Sequence, residues 1–287
     1  LLSHSEVLSS GSSFYVHARM FVSAVAPSSG PVAGGTRLAV LGASFRESAT
    51  LRCRLEESGL TSVARVVSSS QLECAAAMSS GVGVRHVEVS MNGQQYSSSG
   101  VEYTYRAAVV VSSAWPSRGV AEGGTPVTVL GSGFSSAAEA LGELWCRFNS
   151  TLSRAAYVSE SAAVCNTTQS GAGLVSVEVS TNGRDFSSGG AQYEYMSVEV
   201  SSLAPWSGPA LGGTVVTLGG SGLSVDVSSL RCRFGGEGAV WASVHGEVGV
   251  RCVTGAAAST GWVSVELLSH SEVLSSGSSF YVHEVLW

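Results

Sequence analysis

The phrase AVAPSSGPVAGGTRLAVLGASF occupies residues 24–45, and two related phrases align with it without gaps. They read SAWPSRGVAEGGTPVTVLGSGF at residues 113–134 and SLAPWSGPALGGTVVTLGGSGL at residues 202–223. Corresponding residues of successive copies are therefore 89 positions apart. A fixed period of this length predicts three copies of one small domain in a row, and not one large core.

A second phrase closes each copy. Its three versions are VEVSMNGQQYSSSGVEYTY at residues 87–105, VEVSTNGRDFSSGGAQYEY at residues 177–195 and VELLSHSEVLSSGSSFYVH at residues 265–283. Most of the third version, LLSHSEVLSSGSSFYVH at residues 267–283, also stands at residues 1–17, 266 positions earlier. We expect a block of three domains to recur within a longer protein. The alternative is an artificial duplication of the segment.

Short runs with the composition of β-strands fill each copy. RLAVLG at residues 37–42 and SVEVS at residues 176–180 are examples, with apolar residues at alternate positions and Gly, Ser or Pro at their ends. About seven such strands in 89 residues predict an immunoglobulin-like β-sandwich. The predicted fold is all-β, a tandem array of three sandwiches preceded by the closing hairpin of a fourth. Its predicted boundaries are 1–20 for the hairpin and 21–108, 109–197 and 198–287 for the sandwiches.

The repeated pattern P-x-x-G-P-x-x-G-G-T-x-V-x-V-x-G-x-x-F, followed by a cysteine and then by N-G-x-x-x-S, resembles the IPT/TIG domain. The middle copy departs from it at Val120, and the third copy departs at Leu223 and lacks the Asn-Gly. The resemblance implies an immunoglobulin-like fold. IPT/TIG domains are known in plexin-like and Met-like receptors, fibrocystin-like surface proteins, Rel-type transcription factors and, as spacers, sugar-active enzymes, so the resemblance implies no single function.

Glycine marks two kinds of turn. Asn-Gly pairs at positions 92–93 and 182–183 predict two-residue type I′ hairpin turns, in which both central residues need positive φ. The third copy has His270-Ser271 instead and should turn differently. Paired glycines before a threonine predict tight structural turns between the first strands, and because they open no helix they do not predict phosphate binding. These pairs are Gly34/Gly35, Gly123/Gly124 and Gly212/Gly213.

The six cysteines fall two to a domain. The pairs are Cys53/Cys74, Cys146/Cys165 and Cys232/Cys252. Their similar spacing at repeated positions predicts one disulfide within each domain, and therefore an oxidising compartment. Zinc binding is a weaker alternative, because no C-x-x-C or neighbouring Cys/His cluster is present. Buried free thiols are the other alternative.

Two N-glycosylation sequons lie in the middle domain, Asn149-Ser150-Thr151 and Asn166-Thr167-Thr168. Beside paired cysteines they predict covalently attached glycans and an extracellular or cell-surface location. Serine-rich stretches at residues 97–99, 187–188 and 275–276 are interpreted as turn residues, with O-linked sugar as the alternative.

No catalytic, cofactor-binding or metal-binding residue is predicted. The S-x-x-K, G-x-S-x-G and H-E-x-x-H patterns of common hydrolases are absent from the sequence, and only two aspartates are present. Glu88, Glu178 and Glu266 recur in the V-E-V strand and are interpreted as a solvated strand face. The protein is therefore not expected to be an enzyme.

Tryptophan is frequent for three small domains, with six residues. Trp115 and Trp206 adjoin the prolines that open their domains, where packing on the preceding domain is expected. Other tryptophans are expected in the cores. An exposed aromatic platform for sugars is the alternative.

The charge pattern limits the partners. The formal net charge is −6 and 13% of the residues are charged, which gives nucleic-acid binding little electrostatic support. No apolar run approaches 18 residues, so no membrane contact by this segment is expected.

We expect a structural repeat segment of an extracellular fibre-forming or cell-surface glycoprotein, which associates with copies of the same array into filaments or stalks. The alternative is an adhesion or receptor ectodomain that binds a protein or a glycan.

Overall fold

The computed structural model describes residues 2–3, 6–7, 19–55, 60–223, 230–236, 238–245, 249–269 and 272–284. Nearly all of its regular structure is β-strand, and one short helix is present among these residues. The chain divides into two compact units, Leu1–Arg106 and Ala107–Trp287. The first unit holds one β-sandwich and the second holds two, which confirms the predicted tandem all-β fold.

The first sandwich begins after a short separate hairpin. The strands of this unit are β1 (Leu2–Ser3), β2 (Glu6–Val7), β3 (Phe21–Ala26), β4 (Ser29–Pro31), β5 (Arg37–Ala43), β6 (Arg52–Leu55), β7 (Thr61–Val63), β8 (Arg65–Ser68), β9 (Gln71–Ala75), β10 (Gly83–Ser90) and β11 (Glu102–Arg106). One sheet has the order β3-β5-β9-β8 and the other β4-β11-β10-β6-β7. Successive side chains of a strand point to opposite faces, so Leu38 and Val40 are buried between the sheets while Arg37 and Leu41 face outward.

In the second sandwich the two layers are connected through one long strand. Its elements are β12 (Val110–Trp115), β13 (Arg118–Val120), β14 (Pro126–Ser132), α1 (Ser136–Ala140), β15 (Trp145–Phe148), β16 (Thr151–Ser159), β17 (Ala162–Asn166), β18 (Gly173–Ser180) and β19 (Gln192–Met196). The first part of β16 pairs with β15 and its second part pairs with β17. The strands therefore form one continuous order, β12-β14-β17-β16-β15-β18-β19-β13.

The third sandwich again has two separate sheets. Its strands are β20 (Glu199–Ala204), β21 (Ser207–Pro209), β22 (Val215–Ser221), β23 (Leu230–Phe234), β24 (Val240–Trp241), β25 (Ser243–Val244), β26 (Gly249–Val253), β27 (Gly261–Ser269) and β28 (Glu272–His283). The sheet orders are β20-β22-β26-β25 and β21-β28-β27-β23-β24. The last two strands form the long closing hairpin of the sandwich.

The duplicated segment forms the same strand pairing at both of its positions. In the hairpin of β1 and β2, Leu2 lies opposite Val7 and Ser3 opposite Glu6. In the hairpin of β27 and β28, Leu268 lies opposite Val273 and Ser269 opposite Glu272. These pairs correspond residue for residue after the shift of 266 positions. The proposed turn residues His270 and Ser271 lie outside the described residues.

The paired glycines have the structural role that was predicted. Gly34 and Gly35 both have positive φ, at 73° and 87°, a conformation that costs glycine little. A Cβ atom on Gly34 would lie 2.7 Å from the backbone of Ala77 and Met78, whereas one on Gly35 would meet nothing within 4 Å. The first glycine of the pair thus allows two chain segments to approach closely. The second is required only for the positive φ of the turn.

The predicted type I′ turns are wrong. Gly93 and Gly183 have positive φ, but among the described non-glycine residues only Ser44 and Asn149 do. The side-chain oxygen of Asn92 accepts hydrogen bonds from the backbone of Gln94 and Gln95, each at 3.0 Å. Asparagine therefore closes this turn with its side chain, and residues 91–101 form a longer connection between β10 and β11.

Within the second unit the two sandwiches are joined by two residues, since β19 ends at Met196 and β20 begins at Glu199. Val198 between them is buried in the core of the third sandwich, together with Val120 of the second. Met196 packs against the same core. Apolar burial at this join stabilises the contact between the two sandwiches.

Candidate interaction surfaces

One disulfide cross-links each sandwich internally. The bonds Cys53–Cys74, Cys146–Cys165 and Cys232–Cys252 have Cα–Cα distances of 6.4, 6.2 and 6.2 Å. All six cysteines are buried. In the first and third sandwiches the bond ties one sheet to the other, because its two cysteines lie in different sheets. The described part of the chain contains no group of three His, Cys, Asp or Glu residues placed to hold a metal ion.

An arginine–glutamate pair recurs on the outer face of each sandwich. The pairs are Arg54–Glu88, Arg147–Glu178 and Arg233–Glu266, each across two adjacent strands. The arginine Nε donates to the carboxylate at 2.5, 2.5 and 2.6 Å. The glutamate side chains are only 12, 16 and 23% exposed. The interpretation of these glutamates as a solvated face is wrong, because the neighbouring strand places an arginine opposite each of them.

Three aromatic side chains of the third sandwich lie together on its surface, and we call Trp206, Trp262 and Tyr281 the aromatic patch. The rings of Trp206 and Trp262 stack with centroids 6.0 Å apart and planes inclined by 23°. The Tyr281 ring lies 5.3 Å from that of Trp262 and 6.5 Å from that of Trp206. Trp206 is 60% exposed and Trp262 is 64% exposed. Trp206 thus packs on aromatic residues of its own sandwich.

The strand register assembles this patch. Tyr281 of β28 lies opposite Trp262 of β27 on one side and opposite Ser207 of β21 on the other. The backbone N–H of Tyr281 donates to the carbonyl oxygen of Trp206 at 2.9 Å. Residues separated by 75 positions in the sequence are therefore neighbours across three adjacent chain segments.

Both sequon asparagines lie at the surface. Asn149 occupies the turn between β15 and β16 with φ at 56°, and Asn166 is the last residue of β17. Both are exposed. The hydroxyl of Thr151, the third residue of the first sequon, donates to the carbonyl oxygen of Phe148 at 2.9 Å. Glycosylation of the two sites remains a prediction that their exposure permits.

The serine-rich stretches contain buried residues. Ser97 and Ser187 are each 8% exposed. Their hydroxyl oxygens accept hydrogen bonds from the backbone N–H groups of Val89 and Val179, each at 3.0 Å. These two serines therefore have a structural role, because each connects the loop in which it lies to the strand that precedes this loop.

Three family matches cover most of the chain. The IPT/TIG domain matches residues 20–105, 109–195 and 199–282. The chain belongs to the IPT/TIG domain family. No curated protein matches the chain by sequence.

Solved structures with a similar fold include the full extracellular region of plexin A4. Its TM-score is 0.53 at 18% sequence identity, and the alignment covers 92% of this chain and 24% of the plexin chain. The chain thus spans about a quarter of that protein's length. The Escherichia coli adhesin FdeC aligns over 94% of this chain and 100% of its own, at 15% identity and a TM-score of 0.27. At these identities the plexin similarity concerns the fold alone.

The three IPT/TIG domains differ at the positions of the aromatic patch. Where the third domain has Trp206, Trp262 and Tyr281, the other two have small, aliphatic or polar residues. The first domain has Ser28, Val84 and Thr104, and the second has Ser117, Leu174 and Glu194. The IPT/TIG fold therefore forms without aromatic residues at these places.

A second arginine contact on the sheet face differs between domains in a regular way. In the second domain the guanidinium of Arg154 lies 4.2 Å from the centre of a Trp145 ring, across the pair β15 and β16. In the third domain Arg231 lies 4.2 Å from a Trp241 ring, across the pair β23 and β24. The arginine and tryptophan have exchanged strands. This exchange preserves a cation–π contact at the same place.

The third domain also has a small pocket of about 80 Å³, lined in part by Phe234, Val263, Phe280 and Val282. Val282 stands where the first two domains have Tyr105 and Tyr195. The pocket is smaller than the few hundred Å³ or more typical of small-molecule sites.

Among the described residues, no helix has the length and apolar character needed to cross a membrane.

Proposed function

We propose that the chain is a structural repeat segment of an extracellular or cell-surface glycoprotein, which associates with copies of the same array into filaments or stalks. The observation that carries the proposal is the duplicated hairpin, which recurs with the same register after 266 positions. This recurrence supports an array in which a block of three IPT/TIG domains is repeated. In such arrays each domain contacts chiefly its neighbours, so length can grow without a change of fold.

The disulfides support the extracellular part of the proposal. Three bonds in three domains, with no free cysteine among the described residues, fit an oxidising compartment. In the reducing cytosol, bonds of this kind are rare outside catalytic and redox-sensing sites. A structural role outside the cell benefits from covalent cross-links, because they limit the unfolded state of each domain.

Repetition of surfaces supports the self-association. A repeated block presents its exposed apolar side chains again at each repeat of the array, and Leu174 and Trp241 are 67 and 62% exposed. A contact between two different faces that does not close into a ring extends into a filament. Imaging of native material tests this part of the proposal.

An adhesion or receptor segment is the second candidate, and the aromatic patch favours it. The patch is confined to the third domain and lies at the surface, where it contributes little to the core. A purely structural array needs no such difference between its domains.

Glycosylation of the two sequons tests the glycoprotein part of the proposal. In the chain secreted by a eukaryotic host, we expect an N-linked glycan on Asn149 and another on Asn166, because both are exposed. Enzymatic removal of N-glycans should then lower the intact mass by two glycans. The variants Asn149→Gln and Asn166→Gln should each lack the mass of one glycan.

Thr168→Ala is the matched control, because it keeps Asn166 and removes only the third residue of the sequon. It should lose the same glycan as Asn166→Gln. An unmodified mass of the secreted chain would contradict the glycoprotein assignment.

A further inference from the structure

The aromatic patch has the properties of a binding surface. Two indole rings that are 60 and 64% exposed leave a large apolar area in water without contributing to the core. Aligned positions of the other two domains show that the fold does not require these rings. A role in binding explains why the third domain exposes them.

Polar groups continue along the same face of the sheet. Alternate residues of a strand share a face, so Ser264 and Glu266 follow Trp262 on β27, about 7 and 13 Å away at ~3.3 Å per residue. Ser279 of β28 lies opposite Ser264. The Glu266 carboxylate is held by Arg233, whose Nε donates to it at 2.6 Å. An apolar platform is thus followed by hydroxyls and by a fixed ion pair.

We propose that this face of the third domain binds a glycan. Pyranose rings carry C–H groups on their faces and hydroxyl groups at their edges. The indole rings of Trp206 and Trp262 would contact the C–H faces of one or two sugar units. The serine hydroxyls and the Arg233–Glu266 pair would exchange hydrogen bonds with hydroxyls of the following units, as the few polar groups of a ligand site do.

Other ligand classes fit this surface less well. A stable protein partner needs about 800 Å² on each side with an apolar centre, but the patch adjoins serines and a charged pair. A nucleic acid needs cations that are free to meet phosphates, whereas Arg233 is already paired with Glu266 and the net charge is −6. The mixture of aromatic rings and hydroxyls favours a neutral oligosaccharide.

The experiment uses the disulfide-bonded chain of 287 residues. Cellohexaose, chitohexaose and mannohexaose are titrated to millimolar concentration, with tryptophan fluorescence and calorimetry as readouts. At least one of the three should bind. Trp262→Leu and Trp206→Ser should each weaken that binding at least tenfold. Both variants introduce the residue that the second domain has at the same place, so both should remain folded.

Trp115→Ala is the control, because Trp115 is 73% exposed and belongs to the second domain, outside the patch. It should bind the sugar as the parent does. Failure of all three hexasaccharides to bind, or equal binding by Trp262→Leu and the parent, would overturn the proposal. Self-association that depends on Trp262 without any sugar binding would also overturn it, in favour of a protein interface.

This inference goes beyond the structural role and does not depend on it. Sugar binding is measured on the single chain, whereas the structural role is tested by imaging assemblies. Either proposal can therefore be contradicted by its own experiment while the other one stands.

Discussion

Replacing Cys146 and Cys165 together by alanine is expected to destabilise the second IPT/TIG domain by about 3 kcal/mol, since a disulfide that closes a loop of this length restricts the unfolded chain. Both sulfur atoms lie in the core, and their loss leaves unfilled space that adds to this effect. The measurement is chemical denaturation of the parent and the double variant, which yields the free energy of unfolding.

The first unit supplies the control for this experiment. The variant Cys53→Ala with Cys74→Ala should lower the stability of the first sandwich by a similar amount and leave the unfolding of the second unit unchanged. A Cys146/Cys165 variant as stable as the parent would show that this bond is not a structural cross-link.

The variant Gly34→Ala should destabilise the first sandwich by about 3 kcal/mol. Alanine at φ of 73° costs about 1 kcal/mol or somewhat more. Its Cβ would also lie 2.7 Å from backbone atoms of Ala77 and Met78, and relief of such a clash costs roughly 1–3 kcal/mol more. Thermal or chemical unfolding of the first sandwich measures the sum.

Gly35→Ala separates the two causes, because Gly35 also has positive φ, at 87°, but a Cβ there would meet nothing within 4 Å. Gly35→Ala should lower the free energy of unfolding of the first sandwich only by the backbone contribution, about 1 kcal/mol. Equal effects of the two variants would refute the role of close approach at Gly34.

Repetition made most of the fold predictable. The period of 89 residues aligns the opening prolines and the paired glycines of the three domains, and each aligned set has the same backbone conformation in every copy. The glycine pair before Thr36 is an example, since glycine at a recurring turn position has a direct backbone explanation. The cysteine pairs of similar spacing likewise lie within disulfide distance in all three sandwiches.

Side-chain contacts between distant strands were less predictable. Asn92 precedes a glycine and suggested a two-residue turn, but its side chain forms hydrogen bonds that replace backbone pairing. Glu88 was interpreted as solvated because the strand pattern pointed outward, and that pattern does not show which residue stands opposite. The arginine at position 54 becomes its neighbour only when the register is known.

An exposed aromatic platform was an alternative from the sequence, but the residues that form it were not predictable, for the same reason. Trp206, Trp262 and Tyr281 are far apart in the sequence, and adjacent strands bring them together. A signal was nevertheless present in the alignment of the three domains. Trp206 and Trp262 stand where the second domain has serine and leucine. Such replacements by tryptophan in one copy indicate a local function, because the common fold does not require them.

Electron cryomicroscopy of the native, source-purified protein tests the central claim most directly. The axial repeat of any ordered assembly is the quantity to be measured. If the chain is a structural repeat segment, we expect filaments or stalks whose period corresponds to one block of three IPT/TIG domains. Isolated particles without any ordered contact between copies would contradict self-association and favour an adhesion or receptor ectodomain.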